Sequence, residues 1–355
     1  MVQPAGLSKA LRIALIAAAT ILLLALFLRN SDRGEVMAAL RSVHPGWFAG
    51  ALLVNFTALT LRAFRWRTIL GAAATTPPIY DTFLSTAIGF MSSAVLPIRA
   101  GDVIRPALLS RRTGVRFSTA FGTVVSERLI DLTSNLVLFI TFAMTGGRAL
   151  SADPATAKKA LVIHSAASIA AMALIAMLTI AVLLYFFRER ARLVQLRVST
   201  WLPKRFRHGW VSFFDALTAA LEILGKPRIF VRVFLLTAGI WTCLTAQYVL
   251  VLHAMDRPLP YVASFLIATM AIVGLSIPTP GGVGGFHKAA QLALTTFYGF
   301  DVSSSVAVAL VFHIVGTLPV VVTGFVLFGR EGMSVRQLSR IGESAGKAIE
   351  NGEEP

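Results

Sequence analysis

Cysteine, acidic residues and charge in general are scarce in this chain. Of 355 residues one is cysteine, 17 are Asp or Glu against 33 Lys or Arg, and only 14% are charged. The lone Cys243 rules out an intrachain disulfide, and because it lies within an apolar run it says nothing about redox compartment. The recognisable catalytic signatures are missing as well. There is no Gly-x-Ser-x-Gly elbow, no His-Glu-x-x-His and no Gly-Lys-Ser/Thr after the glycine-rich stretch. His287 and His313 are 26 residues apart with no Cys or carboxylate close by, which is not a zinc spacing. The chain therefore reads as a non-enzyme with no cofactor and no metal.

What is abundant is apolar sequence. Hydrophobic residues make up 56%, mean hydropathy is +0.74, and several runs approach the roughly 20 residues that cross a bilayer. The net charge of +16 suggests nucleic acid at first sight, but the basic residues flank apolar runs, as the positive-inside rule expects. The partners to expect are membrane lipids, not nucleic acid. The spans read as 11–28, 47–64, 119–145, 161–187, 229–253 and 303–328, with interrupted segments at 82–97 and at 261–277 with 284–299. The first run ends Leu26-Phe27-Leu28-Arg29, without a small-x-small cleavage site, and reads as an uncleaved anchor. Apolar residues at helical spacing between Val211 and Leu224 fit either an interfacial amphipathic helix or a plain intracellular loop. Residues 329–355 read as a mobile cytoplasmic tail.

With both termini cytoplasmic, 23 Lys and Arg fall on the inner side and seven on the outer, which sets the orientation. Segments 62–81 and 98–118 are then both inner, so 82–97 must enter and return. Segments 254–260 and 299–302 are both outer, so 261–299 must return too. Each element carries a Pro followed four residues later by a Gly, Pro97 with Gly101 and Pro278 with Gly282, 181 residues apart, and Pro280 adds to the second break. Broken helices survive in a bilayer only when buried in protein or lining a wet cavity. A pair of them in two halves points to a transport site between inverted repeats. The expected fold is all-α, polytopic, one transmembrane domain, with re-entrant broken helices in pseudo-repeats at about 45–150 and 160–328.

Charge within the spans singles out candidate residues. Ser126-Glu127-Arg128-Leu-Ile-Asp131 puts three charges into the long span, which is costly in a membrane helix. Thr123, Glu127, Asp131 and Ser134 share one stripe, Arg128 can pair with Asp131, and Glu127 needs Arg99 or Arg105. Such a group is either an ion-pair staple or a transport-coupling site. Arg99, Asp102 and Arg105 surround the first break, and guanidinium groups bind phosphate in a bidentate fork. Gly281, Gly282, Gly284 and Gly285 permit close backbone approach to a ligand or another helix. His287 and His313 are weaker candidates, each as readily a packing group as a functional one. Arg62-Ala-Phe-Arg65-Trp66-Arg67 reads as a boundary anchor.

These pieces, in this order, resemble the flippase-like family that includes the transmembrane region of lysylphosphatidylglycerol synthases. The carriers are Arg62–Arg67, Leu96–Arg105, Ser126–Asp131 and Pro278–Gly284. The resemblance spans nearly the whole chain and implies an all-helical domain that moves lipids between leaflets. Some members carry a cytosolic aminoacyl-transferase domain, which is not expected here, so a separate lipid-modifying enzyme is an expected partner. His287-Lys288 stands where many relatives have an acidic residue. The function expected is a lipid flippase of the plasma membrane for an anionic or aminoacylated phospholipid or a polyprenyl-phosphate lipid. The alternative is an enzyme or enzyme subunit acting on lipid-linked intermediates.

Overall fold

The computed structural model describes residues 9–73, 76–95, 100–151, 157–201, 225–277 and 279–351, with isolated positions between 203 and 218. Among these residues the regular secondary structure is all helical, with no strand. The helices are α1 (Lys9–Leu28), α2 (Arg33–Arg41), α3 (Pro45–Ala73), α4 (Ile79–Val95), α5 (Gly101–Thr113), α6 (Phe117–Ser151) and α7 (Ala157–Phe186). They continue as α8 (Arg188–Trp201), α9 (Pro227–Ala254), α10 (Ala263–Ser276), α11 (Gly285–Tyr298), α12 (Val302–Arg330) and α13 (Val335–Asn351). Five of them, α3, α6, α7, α9 and α12, are long and apolar enough to cross a membrane. The protein is a polytopic all-α membrane protein.

The centre is the antiparallel pair α3 and α9. Their ends are tied on both sides, by the His44 N–H donating to the Ala254 carbonyl (2.7 Å) and by Lys226 Nζ donating to the Ala72 carbonyl (2.8 Å). Between those ends, Asn55 donates to Gln247 at 2.6 Å, with both side chains buried. A short helical hairpin follows each long helix. α4 and α5 pack on one another and return to the end where α3 finishes, because Arg112 at the end of α5 pairs with Asp81 at the start of α4 (2.6 Å). α10 and α11 return to the opposite end, where Val262 and Tyr298 share one apolar cluster. Each hairpin is followed by another long helix, α6 or α12. The packing is matched: α4 lies on α12 as α10 lies on α6, and α5 lies on α6 as α11 lies on α12.

Glycine permits these hairpins. A Cβ on Gly101 would collide with the Gly89 carbonyl oxygen, and Cβ atoms on Gly274 and Gly285 would each collide with the other residue's carbonyl oxygen. Backbone approach this close needs bare Cα atoms on both limbs.

Three expectations change. The span placed at 47–64 continues to Ala73, because Arg65, which reads as marking its end, pairs with Glu127 and Asp131 within the fold. Segment 98–118, assigned to the inner surface, supplies α5, the returning limb of the first hairpin. The tail after 329 is not wholly loose: α13 buries Leu338, Ile341, Ala345 and Ala348 in the cluster that also holds Ile104 and Leu108 of α5. Its apolar residues recur at helical spacing, which a count of polar residues conceals. Most of the stretch 211–224 lies outside the described residues.

Candidate functional site

The charged residues meet where α3, α4, α5 and α6 converge. Glu127, 2% exposed, accepts from Arg65 Nε at 3.3 Å and from Arg105 Nη1 at 2.7 Å. Arg65 Nη1 also donates to Asp131 at 2.7 Å and to Thr237 Oγ1 of α9 at 3.4 Å. Arg128 donates to Asp102 and stands 3.9 Å from Asp131. Trp66 Nε1 donates to Thr123 (2.9 Å), and the Arg105 guanidinium lies 3.8 Å from the centre of the Trp66 ring. Arg65 and Arg105 are 1% and 3% exposed. Arg65 sits eight residues before the end of α3, so the cluster lies about 12 Å inside the helix end. At that depth an ionised group persists only when paired and hydrogen-bonded.

The structure places Arg105, Asp102, Glu127, Arg128 and Asp131 in one charge cluster, and Arg105 is one of two arginines paired with Glu127. Arg99 and Pro97 lie outside the described residues. The Arg128–Asp131 pair is present at 3.9 Å, and Asp102 is a further, hydrogen-bonded partner of Arg128. One correction stands out: Arg65, read as a boundary anchor, bridges both carboxylates of α6. A signal for it was present: Arg62 and Arg65 are three residues apart on an otherwise apolar helix, hence on one face.

The second break is built without carboxylates. A single 3₁₀ turn, Pro280–Gly282, joins α10 to α11. Gly281, Gly282 and Gly284 all take positive φ, at 60°, 73° and 88°. The Gly281 carbonyl accepts from His313 Nε2 of α12 at 3.0 Å. His287 Nδ1 accepts the Gly284 N–H at 3.3 Å and so caps α11. The two imidazoles lie edge to face with centroids 4.6 Å apart, and His287 also stacks near Phe27 of α1 (5.1 Å). Pro278 lies outside the described residues. Among the described residues no group of His, Cys, Asp and Glu could hold a metal ion.

The second break touches the first hairpin. A Cβ on Gly281 would stand 3.0 Å from the carbonyl oxygen of Ala94, near the end of α4. The two hairpins, which return to opposite ends of the molecule, thus meet there.

Comparison with known proteins agrees with this architecture. The family described as the lysylphosphatidylglycerol synthase transmembrane region matches residues 10–324. The chain is also 26% identical over 329 residues to the glycosyltransferase AglD of Haloferax volcanii. That match covers 86% of this chain and 52% of the relative, so the chain spans about half the length of the curated protein it resembles.

Proposed function

This chain belongs to the family of the lysylphosphatidylglycerol synthase transmembrane region, and we propose that it moves a lipid between the two leaflets of a membrane. The observation that carries this reading is the contact between the end of α4 in the first hairpin and the break of the second, Ala94 against Gly281, inside a bundle of apolar helices. Hairpins entering from opposite ends, with matched packing around them, are what two inverted repeats would present. Such pairs support alternating access when one opens as the other closes. The cargo is an anionic or aminoacylated phospholipid, or a polyprenyl-phosphate lipid. Its phosphate is held near Arg105 and Arg99, and the glycines at 281–285 let the second hairpin close behind it. The charge pattern supports a cytoplasmic position for both termini, and the plasma membrane is the location that suits such a cargo.

A second reading comes from the relative's name: a membrane partner or part of an enzyme that transfers sugars. Proteoliposomes separate the two. With fluorescent anionic, aminoacylated and polyprenyl-phosphate lipids, the parent protein should move at least one between leaflets without forming a covalent product. Gly282→Val should slow that movement, since a branched residue resists φ of 73°. No movement of any of the three lipids, or a covalent product in its place, would reject the flippase reading.

A further inference from the structure

Three buried guanidinium nitrogens in the charge cluster have no hydrogen-bond acceptor among the described residues. They are Nε of Arg62 and both Nε and Nη2 of Arg105. The neighbouring cations are engaged, Arg65 with Glu127 and Asp131 and Arg128 with Asp102. Arg62 forms no ion pair among the described residues. Its guanidinium lies 5.0 Å from the centre of the Phe90 ring, with those of Arg105 and Arg128 at 5.7 and 5.8 Å from the same ring. An aromatic face attracts cations but accepts no conventional hydrogen bond. Arg62, Arg65, Arg105 and Arg128 face three carboxylates, Asp102, Glu127 and Asp131, which leaves one positive charge over among the described residues.

Buried charged donors without acceptors are costly and call for an anion. We infer that the cluster of Arg62, Arg105 and Arg128 around Phe90 binds a singly charged phosphodiester. Two non-bridging oxygens would accept from Arg62 Nε and from the free edge of Arg105, the fork geometry that guanidinium groups offer to phosphate. One negative charge balances the excess counted among the described residues. The site has a closed floor, because Arg105 and Glu127 are almost wholly buried. The donor nitrogens themselves are closed to solvent, and an anion would reach them from the side where the Arg128 and Asp102 side chains are 42% and 32% exposed and Arg62 is half-buried. The anion chemistry comes from this geometry, and its source in a lipid headgroup rests on the lipid-moving reading.

The test is isothermal titration of the full chain in detergent with dioctanoyl phosphatidylglycerol, with dioctanoylglycerol as the uncharged control and inorganic phosphate as competitor. The parent should bind phosphatidylglycerol and not the control. Arg62→Gln should weaken binding by about tenfold or more. It should not lower the unfolding temperature of the unliganded protein, because the side chain removed is an unpaired cation. Arg105→Lys keeps a charge beside Glu127 but loses the fork, and it should weaken binding similarly. Competition by inorganic phosphate would show that the anion alone suffices; its absence would assign the site to the lipid. Failure of the parent to bind either anion, or unchanged affinity in both variants, would overturn the inference. Translocation by the same preparations separates the two claims. A parent that binds but moves no lipid keeps the anion site and loses the transport reading. Lipid movement unaffected by Arg62→Gln removes the site from the transport path.

Discussion

At Gly89 and Gly101, and again at Gly274 and Gly285, two helical limbs cross so closely that a carbonyl oxygen fills the place of a missing side chain. Around the first crossing lie Arg62, Arg65, Arg105, Arg128 and three carboxylates. Around the second lie two imidazoles, one of them bonded to the Gly281 carbonyl, and aromatic rings. The backbone device is common to both hairpins and the lining differs. A broken hairpin can therefore be held in this fold with no ion pair at all. The charges at the first hairpin are not required by its geometry, and their presence in apolar surroundings needs a second reason.

The comparison breaks most sharply at Glu127. Glu127→Gln leaves Arg65 and Arg105 facing a neutral group, and removing one partner of a buried pair costs about 3–5 kcal/mol. Thermal unfolding in detergent should register that loss, and hydrogen exchange should rise in α4 and α5 well before α10 and α11. Adding Arg105→Gln should cost less than the sum of the two single changes. Strict additivity, or equal loosening of both hairpins, would show that the charges do not act on the first hairpin in particular.

Next in size are the glycines. Gly101→Ala and Gly274→Ala each force a methyl group into a backbone carbonyl, and overpacking of this kind costs about 1–3 kcal/mol. If the two clasps are equivalent, their unfolding temperatures should fall together. A neutral result at either position would end the equivalence.

The smallest effect lies outside the membrane segments, where Glu331 accepts from Tyr80 Oη (2.8 Å) and pairs with Arg112 (2.6 Å). Those two contacts, the tyrosine hydrogen bond first, hold the Glu331 carboxyl below its ordinary range. A lowered value means that the stabilisation is complete above the usual carboxylate pKa and is lost as pH falls through the lowered one. The parent should thus lose slightly more stability than Glu331→Gln on acidification, by no more than about 1 kcal/mol for so accessible a pair. Parallel pH profiles for the two would show that the contact does not stabilise the hairpin mouth.

How far these features were legible in the sequence follows from what each one depends on. Gly101 and the glycines of 281–285 announced the breaks, because few other residues tolerate positive φ or bare-backbone contact. Glu127 and Asp131 announced themselves by charge in an apolar run. Arg65 was harder, since an arginine near the end of a span looks the same whether it reaches for water or turns inward to a carboxylate. That choice is made by α6, 62 residues further along. The helix α13 was lost for the opposite reason. Its four apolar contacts are spread through polar sequence, and only docking against α5 gives them value. The short α2 rests on a local cap, Asp32 accepting the Glu35 N–H, and on a contact with α12 that no nearby residue discloses.

The paired helices α3 and α9 carry a mechanical meaning. They are laced at their two ends and joined by Asn55 and Gln247 between them. One helix belongs to each half of the chain, so the halves share a spine and cannot hinge apart without unlacing it. On the lipid-moving reading proposed above, motion would fall to the short limbs hung on either side, α4–α5 toward one end and α10–α11 toward the other, and a cargo would pass along the flank of a spine that stays still.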